Sequence, residues 1–377
     1  MRVLKQLPPL AIGNEDYVFL EDTCRRLLTD GRRLAADGTP LYFPDSAGKY
    51  PACWTRDFCY MVEYAGRLLP PEEILAGLDF LLAGQREDGV VPDRVRPDGT
   101  PVYCAGPEDR PLGAAPPTDN AQFLVKLLDA YYELTGDAAA FLERAPALRR
   151  SLESVPLNPE GLVYVDPNRP HPGYGFTDMI AKTGKELFSS LLYWEACRRL
   201  ALRMQELEEH EEARDWFEAA ELTSLHLPQF RDELTGLFWA ASQDCHQHDL
   251  WGSVYAVVLR VASKTQSRAI AEYLLENREL IFWRGHMRHL PRGQYWERFL
   301  GEVPPDTYQN GAYWAVPVGW AAQTLALVNA AAARALVSEV LAFWREHEVC
   351  ECISPDSQPA GPGYLASAAN LLGAVTP

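Results

Sequence analysis

Residues 51–85, PACWTRDFCYMVEYAGRLLPPEEILAGLDFLLAGQ, predict two consecutive helices joined by a very short turn. Apolar side chains recur at helical spacing over 57–69 and again over 71–85. Pro71 followed by two glutamates is typical of a helix start, because proline fits the first helical position and carboxylates favour the positive end of the helix dipole. The segment therefore predicts a helical hairpin.

The same alternation of short turns and long loops continues along the chain. We predict twelve helices, at 16–36, 57–69, 71–85, 119–135, 138–154, 183–207, 209–231, 251–262, 264–278, 311–328, 330–347 and 363–374. Six hairpins whose long loops all lie at one end predict an all-α fold, a closed (α/α)6 toroid with short β-hairpins in the loops. Residues 1–377 are expected to form a single domain. An open α-solenoid is the alternative, but no repeat of fixed period is present.

Composition excludes several classes of function. A net charge of −17 argues against nucleic acid as a partner, because phosphate binding needs a basic surface. No run of 18 apolar residues and no signal-like N-terminus is present, so neither a membrane span nor secretion is expected. The eight cysteines include no CxxC pair and no zinc framework, which predicts free thiols, a cytoplasmic protein and no metal or other cofactor. No pattern indicates the oligomeric state.

The long loops place polar and aromatic side chains together just before helices. In the first such loop, Trp54 precedes Arg56 and Asp57, an arrangement that can bind adjacent hydroxyls while the indole covers a sugar ring. An ion pair within the helix start is the alternative interpretation for the two charged residues. In the second loop, Asp119 and Asn120 form either a helix cap or a polar wall facing a ligand.

Two later loops repeat this combination of polar groups and rings. Asp249 and Trp251 open one helix, and Tyr308 begins the next such junction. We predict that both junctions contact the substrate, the second through Tyr308, Gln309, Asn310 and Trp314. Lys182 either binds an anionic group or is simply solvated at a helix start.

Two carboxyl groups are candidates for acid–base chemistry. Asp178 follows a Gly- and aromatic-rich approach, where partial desolvation would raise its pKa towards that of a general acid. Glu351 lies in an apolar setting between two cysteines, before a Gly/Pro turn. A helix cap at Asp178 and an ordinary exposed glutamate at Glu351 are the alternatives, and Glu297 or Asp306 is the alternative base.

The order of these motifs resembles the six-hairpin glycosidases, the (α/α)6-toroid group that includes the α-glucosidase I, trehalase and glucoamylase branches. The resemblance is carried by five matches, WTRD at 54–57, GYGFTD at 173–178, HDLWGSVYAV at 248–257, YQNGAYW at 308–314 and the spacing from Glu351 to Tyr364. It covers residues 50–374, and the α-glucosidase I and trehalase branches are the most similar.

The resemblance implies a glycoside hydrolase that acts on a carbohydrate. Asp178 matches the general acid, Glu351 the base that activates water, and Arg56 with Asp57 the group that holds sugar hydroxyls. An inverting, exo-acting enzyme for a small glycoside or oligosaccharide is the expected activity.

Two other functions are compatible with the same toroid. A sugar epimerase would need a pair of ring-facing bases, for which His246, His248, His286 and His289 are the candidates. A non-catalytic glycan-binding protein would keep the groove without turnover.

Overall fold

The computed structural model describes residues 7–377, and this part of the chain contains thirteen α-helices. They are α1 (Asn14–Gly31), α2 (Thr55–Ala65), α3 (Pro71–Leu82), α4 (Asn120–Thr135), α5 (Ala138–Glu153), α6 (Leu187–Glu206), α7 (His210–His226), α8 (Leu250–Val258), α9 (Lys264–Glu276), α10 (Arg278–Ile281), α11 (Val318–Ala326), α12 (Ala330–His347) and α13 (Leu365–Ala374). The twelve predicted helices are all present, and α10 is an additional single turn.

Six of these helices form a closed inner ring. The helices α2, α4, α6, α8, α11 and α13 pack against one another in succession, and α13 packs back against α2. The outer helices α1, α3, α5, α7, α9 and α12 cover this ring. The predicted (α/α)6 toroid is therefore confirmed.

Burial patterns explain which helices lie inside. Every residue of α8 is buried, as a helix surrounded on all sides requires. The outer helix α7 buries only Ala213, Trp216, Ala220 and Thr223, which lie three or four residues apart on one stripe. The apolar positions thus separate inner from outer helices.

Short strands connect the long loops. They are β1 (Leu10–Ala11), β2 (Arg32–Leu34), β3 (Pro40–Tyr42), β4 (Cys53–Trp54), β5 (Arg94–Val95), β6 (Pro101–Val102), β7 (Tyr164–Val165), β8 (Gly184–Lys185), β9 (Phe282–Trp283), β10 (His286–Met287), β11 (Tyr313–Trp314), β12 (Cys350–Ile353), β13 (Pro359–Pro362) and β14 (Val375–Thr376). Four small sheets have two or three strands, whereas β9 to β13 form a five-stranded antiparallel sheet in the order β13-β12-β11-β10-β9.

The five-stranded sheet corrects one helix boundary. Residues 311–317 were predicted as the start of a helix, but Tyr313 and Trp314 pair with β10 and β12, and α11 begins only at Val318. Aromatic side chains favour this pairing, and Pro317 stands at the helix N-cap. The first predicted helix likewise ends earlier, at Gly31, where β2 begins.

The long loops meet at one rim of the ring. Each long loop leaves an outer helix and enters the next inner helix, so all six inner helices present their N-termini to the same end. Bridges between distant loops, such as Asp45 with Tyr364 and Ile180 with Phe299, confirm that the loops contact one another. Helix N-termini carry partial positive charge, so this rim is suited to carboxylates. No helix in residues 7–377 is long and apolar enough to cross a membrane.

Candidate active site

Asp178 lies at the rim, directly after a 3₁₀ turn formed by Gly175–Thr177. It caps no helix. Its Oδ1 accepts a hydrogen bond from Gln309 Nε2 at 2.8 Å. Burial raises the pKa of Asp178 to about 7, although the hydrogen bond from Gln309 acts in the opposite direction. A carboxyl group with this pKa is protonated in a large share of molecules at neutral pH.

Glu351 is buried at the same rim, on strand β12. Its Oε1 accepts from the Tyr50 hydroxyl at 2.7 Å and from the Tyr308 hydroxyl at 3.2 Å. Its Oε2 accepts from Lys49 Nζ at 2.8 Å. The predicted alternative, an ordinary exposed glutamate, does not apply.

A glycine leaves space for the Glu351 side chain. Gly361 lies on the neighbouring strand β13, and a Cβ at this position would stand 2.6 Å from Glu351 Oε2. Its φ of +61° also lies in the region that favours glycine. The β12–β13 hairpin therefore sets the position of the carboxylate.

A cavity of about 1,260 Å³ opens at the rim. Asp178 lines it directly, and so do Lys49, Tyr50 and Tyr308, the three donors to Glu351. The Glu351 charge is close enough to contribute to the raised pKa of Asp178. Asp178 therefore lines the cavity, whereas Glu351 lies behind the donors that line it.

Arg56 is occupied by protein carboxylates. Its guanidinium donates to Asp93 Oδ1 at 2.6 Å and to Asp119 Oδ2 at 3.3 Å, and it also contacts the Asn120 side chain. Asp119 in turn accepts from the Gly175 N–H at 2.8 Å. This buried network fixes the turn that carries Asp178.

Asp57 does not form the ion pair with Arg56 that was the alternative interpretation of these two residues. Its Oδ1 accepts from the Tyr364 hydroxyl, and burial raises the pKa of Asp57 to about 7. The nearby Glu351 charge contributes to this increase. Asp57 is therefore a further buried carboxyl group near Glu351, and it does not line the cavity.

Trp54 lines the cavity, whereas the other two predicted tryptophans, Trp251 and Trp314, are buried away from it. Arg94 covers one face of the Trp54 indole at 4.5 Å. The Nε1 of Trp54 is buried without a hydrogen-bond partner among residues 7–377, and so is the Nδ2 of Asn120. Of these two residues, Trp54 lines the cavity and Asn120 does not.

The other predicted binding residues lie beneath the cavity wall. Lys182 is buried and pairs with Asp249 at 3.1 Å, and Asp249 also caps α8. The indole N–H of Trp251 donates to the backbone oxygen of Arg288. Asp249 and Trp251 thus support the α8 end of the rim.

The Tyr308 junction has a similar supporting role. The Asn310 side chain accepts a hydrogen bond from the Trp296 N–H through Oδ1 and donates one to the backbone oxygen of Val303 through Nδ2. Trp314 is fully buried and donates to the backbone oxygen of Tyr308. Only Tyr308 of this junction lines the cavity.

An aromatic layer fills the interior of the ring of helices. Phe188 stacks on Tyr174 at 3.8 Å and on Tyr255 at 5.1 Å, and Tyr255 contacts Trp320 at 4.7 Å. These rings are fully buried inside the ring of helices.

The alternative catalytic residues lie elsewhere. Glu297 is exposed, and Asp306 pairs with Arg288 at 3.3 Å. The four histidines proposed for an epimerase do not line the cavity within the described residues. His246 and His248 stack on Trp239, His286 packs against Phe343, and His289 packs against Trp251.

Sequence reasoning missed four residues of the site, Lys49, Tyr50, Asp93 and Tyr364. Lys49 and Tyr50 lie a few residues before the WTRD segment, and Tyr364 ends the spacing that begins at Glu351. Their proximity to these motifs was the available signal. The contacts of Lys49, Tyr50 and Tyr364 join residues about 300 positions apart, which no local pattern encodes.

Comparison with solved structures supports the fold. A GH63 mannosylglycerate hydrolase from Thermus thermophilus, in complex with glucose, superposes with a TM-score of 0.67 and 18% identity, covering 94% of this chain and 99% of that one. A rhamnosidase from Klebsiella oxytoca with rhamnose bound gives 0.69 and 14%, covering 98% and 65%. A glucoamylase from Saccharomycopsis fibuligera gives 0.60 and 11%, covering 99% and 97%.

Comparisons of sequence alone find no relative of this chain. No family model matches the chain, and no curated protein matches it. The similarity extends over nearly the whole of residues 7–377 and confirms the predicted resemblance at the level of structure. The chain therefore has the (α/α)6 fold of the six-hairpin glycosidases.

Proposed function

We propose that this protein is an inverting, exo-acting glycoside hydrolase for a small glycoside or oligosaccharide. Asp178 is the general acid and Glu351 the general base. The observation that carries the proposal is a half-buried carboxyl group with a pKa of about 7 that lines a cavity also bordered by the donors to a second, buried carboxylate. The fold shared with known glycosidases supports the same activity.

The acid step follows from the state of Asp178. A carboxyl group that remains partly protonated near pH 7 can donate its proton to the leaving glycosidic oxygen as the bond to the anomeric carbon breaks. The resulting carboxylate is reprotonated by solvent after the products leave.

The base step follows from the hydrogen bonds of Glu351. A carboxylate offers about four lone-pair sites, and the three donors on Glu351 orient it while leaving acceptor capacity for a water molecule. Glu351 removes a proton from this water as it attacks the anomeric carbon from the face opposite the leaving group. Such an arrangement inverts the configuration.

The filled interior of the ring of helices supports a small, terminal substrate. Buried aromatic rings occupy the space between the inner helices, so a substrate is expected to enter and leave by the rim. Trp54, Tyr50 and Tyr308 supply aromatic walls against which a sugar ring can pack. Arg56 contacts the Asn120 side chain, and Asp57 accepts from Tyr364, which packs against Tyr50.

A glycoside panel tests the activity. The purified protein is incubated with 4-nitrophenyl α-D-glucoside, α-D-mannoside and α-L-rhamnoside, and with unsubstituted disaccharides, and NMR follows the first substrate that reacts. We expect a released sugar whose first-formed anomer is the opposite of the substrate's. A retained anomer contradicts the inverting mechanism. An isomer of unchanged mass favours an epimerase, and binding without turnover favours a glycan-binding protein.

Substitution separates the acid from the base. With the methyl glycoside of the sugar so identified, Asp178→Asn and Glu351→Gln should each lower kcat by about 10² to 10⁴-fold. With the corresponding glycosyl fluoride, whose leaving group needs no proton, Asp178→Asn should keep much of the wild-type rate while Glu351→Gln stays inactive. Wild-type hydrolysis of the methyl glycoside by Asp178→Asn would reject the assignment.

A further inference from the structure

The side-chain amide of Gln309 lies between the Asp178 carboxyl group and the backbone of Met179. Its Nε2 donates to Asp178 Oδ1 at 2.8 Å, and its Oε1 accepts from the Met179 N–H at 2.8 Å. A backbone N–H can only donate, so the amide oxygen must face Met179 and the NH₂ group must face Asp178. The chemistry of the neighbours thus determines the orientation of the amide.

This orientation determines where the acid proton lies. The NH₂ group of Gln309 can only donate, so Oδ1 of Asp178 accepts whether or not the carboxyl group is protonated. The proton of the neutral acid is therefore on Oδ2. We propose that Gln309 is a positioning residue that holds the acid proton of Asp178 on Oδ2, the oxygen left for the substrate. The inference rests on the proposed hydrolase function and replaces the predicted contact of Gln309 with sugar hydroxyls.

The residue before Gln309 holds the other carboxyl group. The Tyr308 hydroxyl donates to Glu351 Oε1 at 3.2 Å, so two consecutive residues contact the acid and the base. Their backbone is fixed, because Trp296 Nε1 donates to the Gln309 oxygen at 3.1 Å. This junction therefore also sets the position of Asp178 relative to Glu351, the quantity on which an inverting mechanism depends.

The other charges around Asp178 do not depend on Gln309. Arg56 on α2, Asp93 in the second long loop and Glu351 on β12 are the charged groups that affect its pKa. All three are held by contacts of their own. A change in the titration of Asp178 after replacement of Gln309 therefore reports the lost hydrogen bond.

A titration of the carboxyl group tests the inference without a substrate. The protein is labelled with ¹³C at aspartate carboxyl carbons, and the Asp178 signal is identified by its absence in Asp178→Asn. Gln309→Leu removes the donor and should raise the pKa of Asp178 by about one pH unit. Gln309→Glu places a second acceptor against Oδ1 and should also raise it, which provides a second variant if the first folds poorly.

A matched control is available at Gln247. Its Nε2 donates to the backbone oxygen of Tyr295 at 2.8 Å, and its Oε1 accepts from the Glu297 N–H at 3.1 Å. It is thus a bridging amide whose two partners do not include Asp178. Gln247→Glu should leave the Asp178 titration unchanged. An unchanged titration in both Gln309 variants overturns the inference, even if the protein hydrolyses glycosides.

Leaving-group dependence distinguishes positioning from a general structural effect. Gln309→Leu should lower kcat on both substrates, and the decrease on the methyl glycoside should exceed that on the glycosyl fluoride by about tenfold or more. Only the methyl glycoside needs the acid to protonate its leaving group. Equal losses on the two substrates indicate a structural role and overturn the inference. A shifted titration in a protein without glycosidase activity supports the positioning of Asp178 and rejects the proposed function instead.

Discussion

At the scale of single residues, the site places ionisable groups where burial is unfavourable to their charge. Asp57 is buried and Asp178 is half-buried, and the pKa of each carboxyl group is raised to about 7. In the unfolded chain an aspartate has a pKa of about 3.9. The folded protein therefore holds extra protons between these values, and its stability depends on pH.

Replacement of Asp178 should change this dependence. The stability associated with Asp178 is fully present below about pH 4 and is lost as the pH rises through 7, because the charged form is disfavoured in the folded state. The cost reaches roughly 4 kcal/mol above pH 7. Asp178→Asn carries no charge, so its Tm relative to wild type should rise between pH 5 and pH 8, measured by calorimetry.

The control for this prediction is an exposed aspartate. Asp109→Asn should show the same Tm difference from wild type at both pH values, because Asp109 is exposed. Asp57 is present in the wild type and in both variants, so its contribution cancels in the Tm differences. A Tm difference for Asp178→Asn that does not change with pH would contradict the assigned burial.

Gly175 is the second residue with a defined steric role. A Cβ here would overlap the guanidinium of Arg56, which is held in place by Asp93 and Asp119. Gly175→Ala should therefore destabilise the protein by about 1–3 kcal/mol and displace the turn that carries the acid. Urea unfolding and kcat on the methyl glycoside measure the two effects.

A glycine with free space provides the comparison. Gly13 has no atom within 4 Å of its virtual Cβ and a φ of −64°. Gly13→Ala should change the free energy of unfolding by less than about 0.5 kcal/mol and leave kcat unchanged. If Gly175→Ala and Gly13→Ala changed the free energy of unfolding and kcat equally, the contact between Gly175 and Arg56 would not be tight.

How far the residues could be predicted depends on the range of their contacts. Asp178 stood out because aromatic and glycine residues surround it in the sequence itself. The hydrogen bond from Gln309 joins residues 131 positions apart, so Gln309 could be singled out only as a polar group near a helix start. The partners of Arg56 on two other loops were hidden for the same reason.

At the scale of secondary-structure elements, helices were predicted well and strands poorly. The helices have apolar stripes that repeat over three turns or more, as in α7. Strands β9 to β13 contain two to four residues each, and two separate loops contribute them. Such strands have no room for an alternating pattern and are stabilised by their pairing. The element that carries Glu351 was therefore predicted as a loop.

The β12–β13 hairpin can be tested at Gly361. A Cβ there would displace the Glu351 carboxylate, and the φ of +61° adds backbone strain. Because the base acts on water whatever the leaving group, Gly361→Ala should lower kcat on the methyl glycoside and on the glycosyl fluoride alike. Steady-state kinetics with both substrates measure this.

The neighbouring position serves as the control. Ala360 is exposed on the same strand, so Ala360→Ser should keep wild-type rates on both substrates. If Gly361→Ala lowered kcat on the methyl glycoside alone, the substitution would act through the acid, which would contradict the role given to the hairpin.

At the scale of the whole molecule, charged side chains join the inner helices below the aromatic layer. Lys126 on α4 lies 3.2 Å from Glu63 on α2 and 3.0 Å from Glu195 on α6, and it donates to Tyr255 on α8 at 2.7 Å. Arg199 on α6 also contacts Glu63 and Glu195. One network therefore links four of the six helices that form the ring.

Removal of one partner should be far more harmful than removal of a matched pair. Lys126→Met leaves Glu195 in a fully buried site with its charge less well compensated, which should cost about 3–5 kcal/mol in urea unfolding. The double variant Lys126→Met with Glu195→Gln should recover part of this loss. Arg149→Ala, which breaks an exposed pair with Glu153, should cost less than about 1 kcal/mol. If Lys126→Met cost no more than Arg149→Ala, the inner helices would be joined by apolar packing alone, and the charged network would add nothing to closure of the ring.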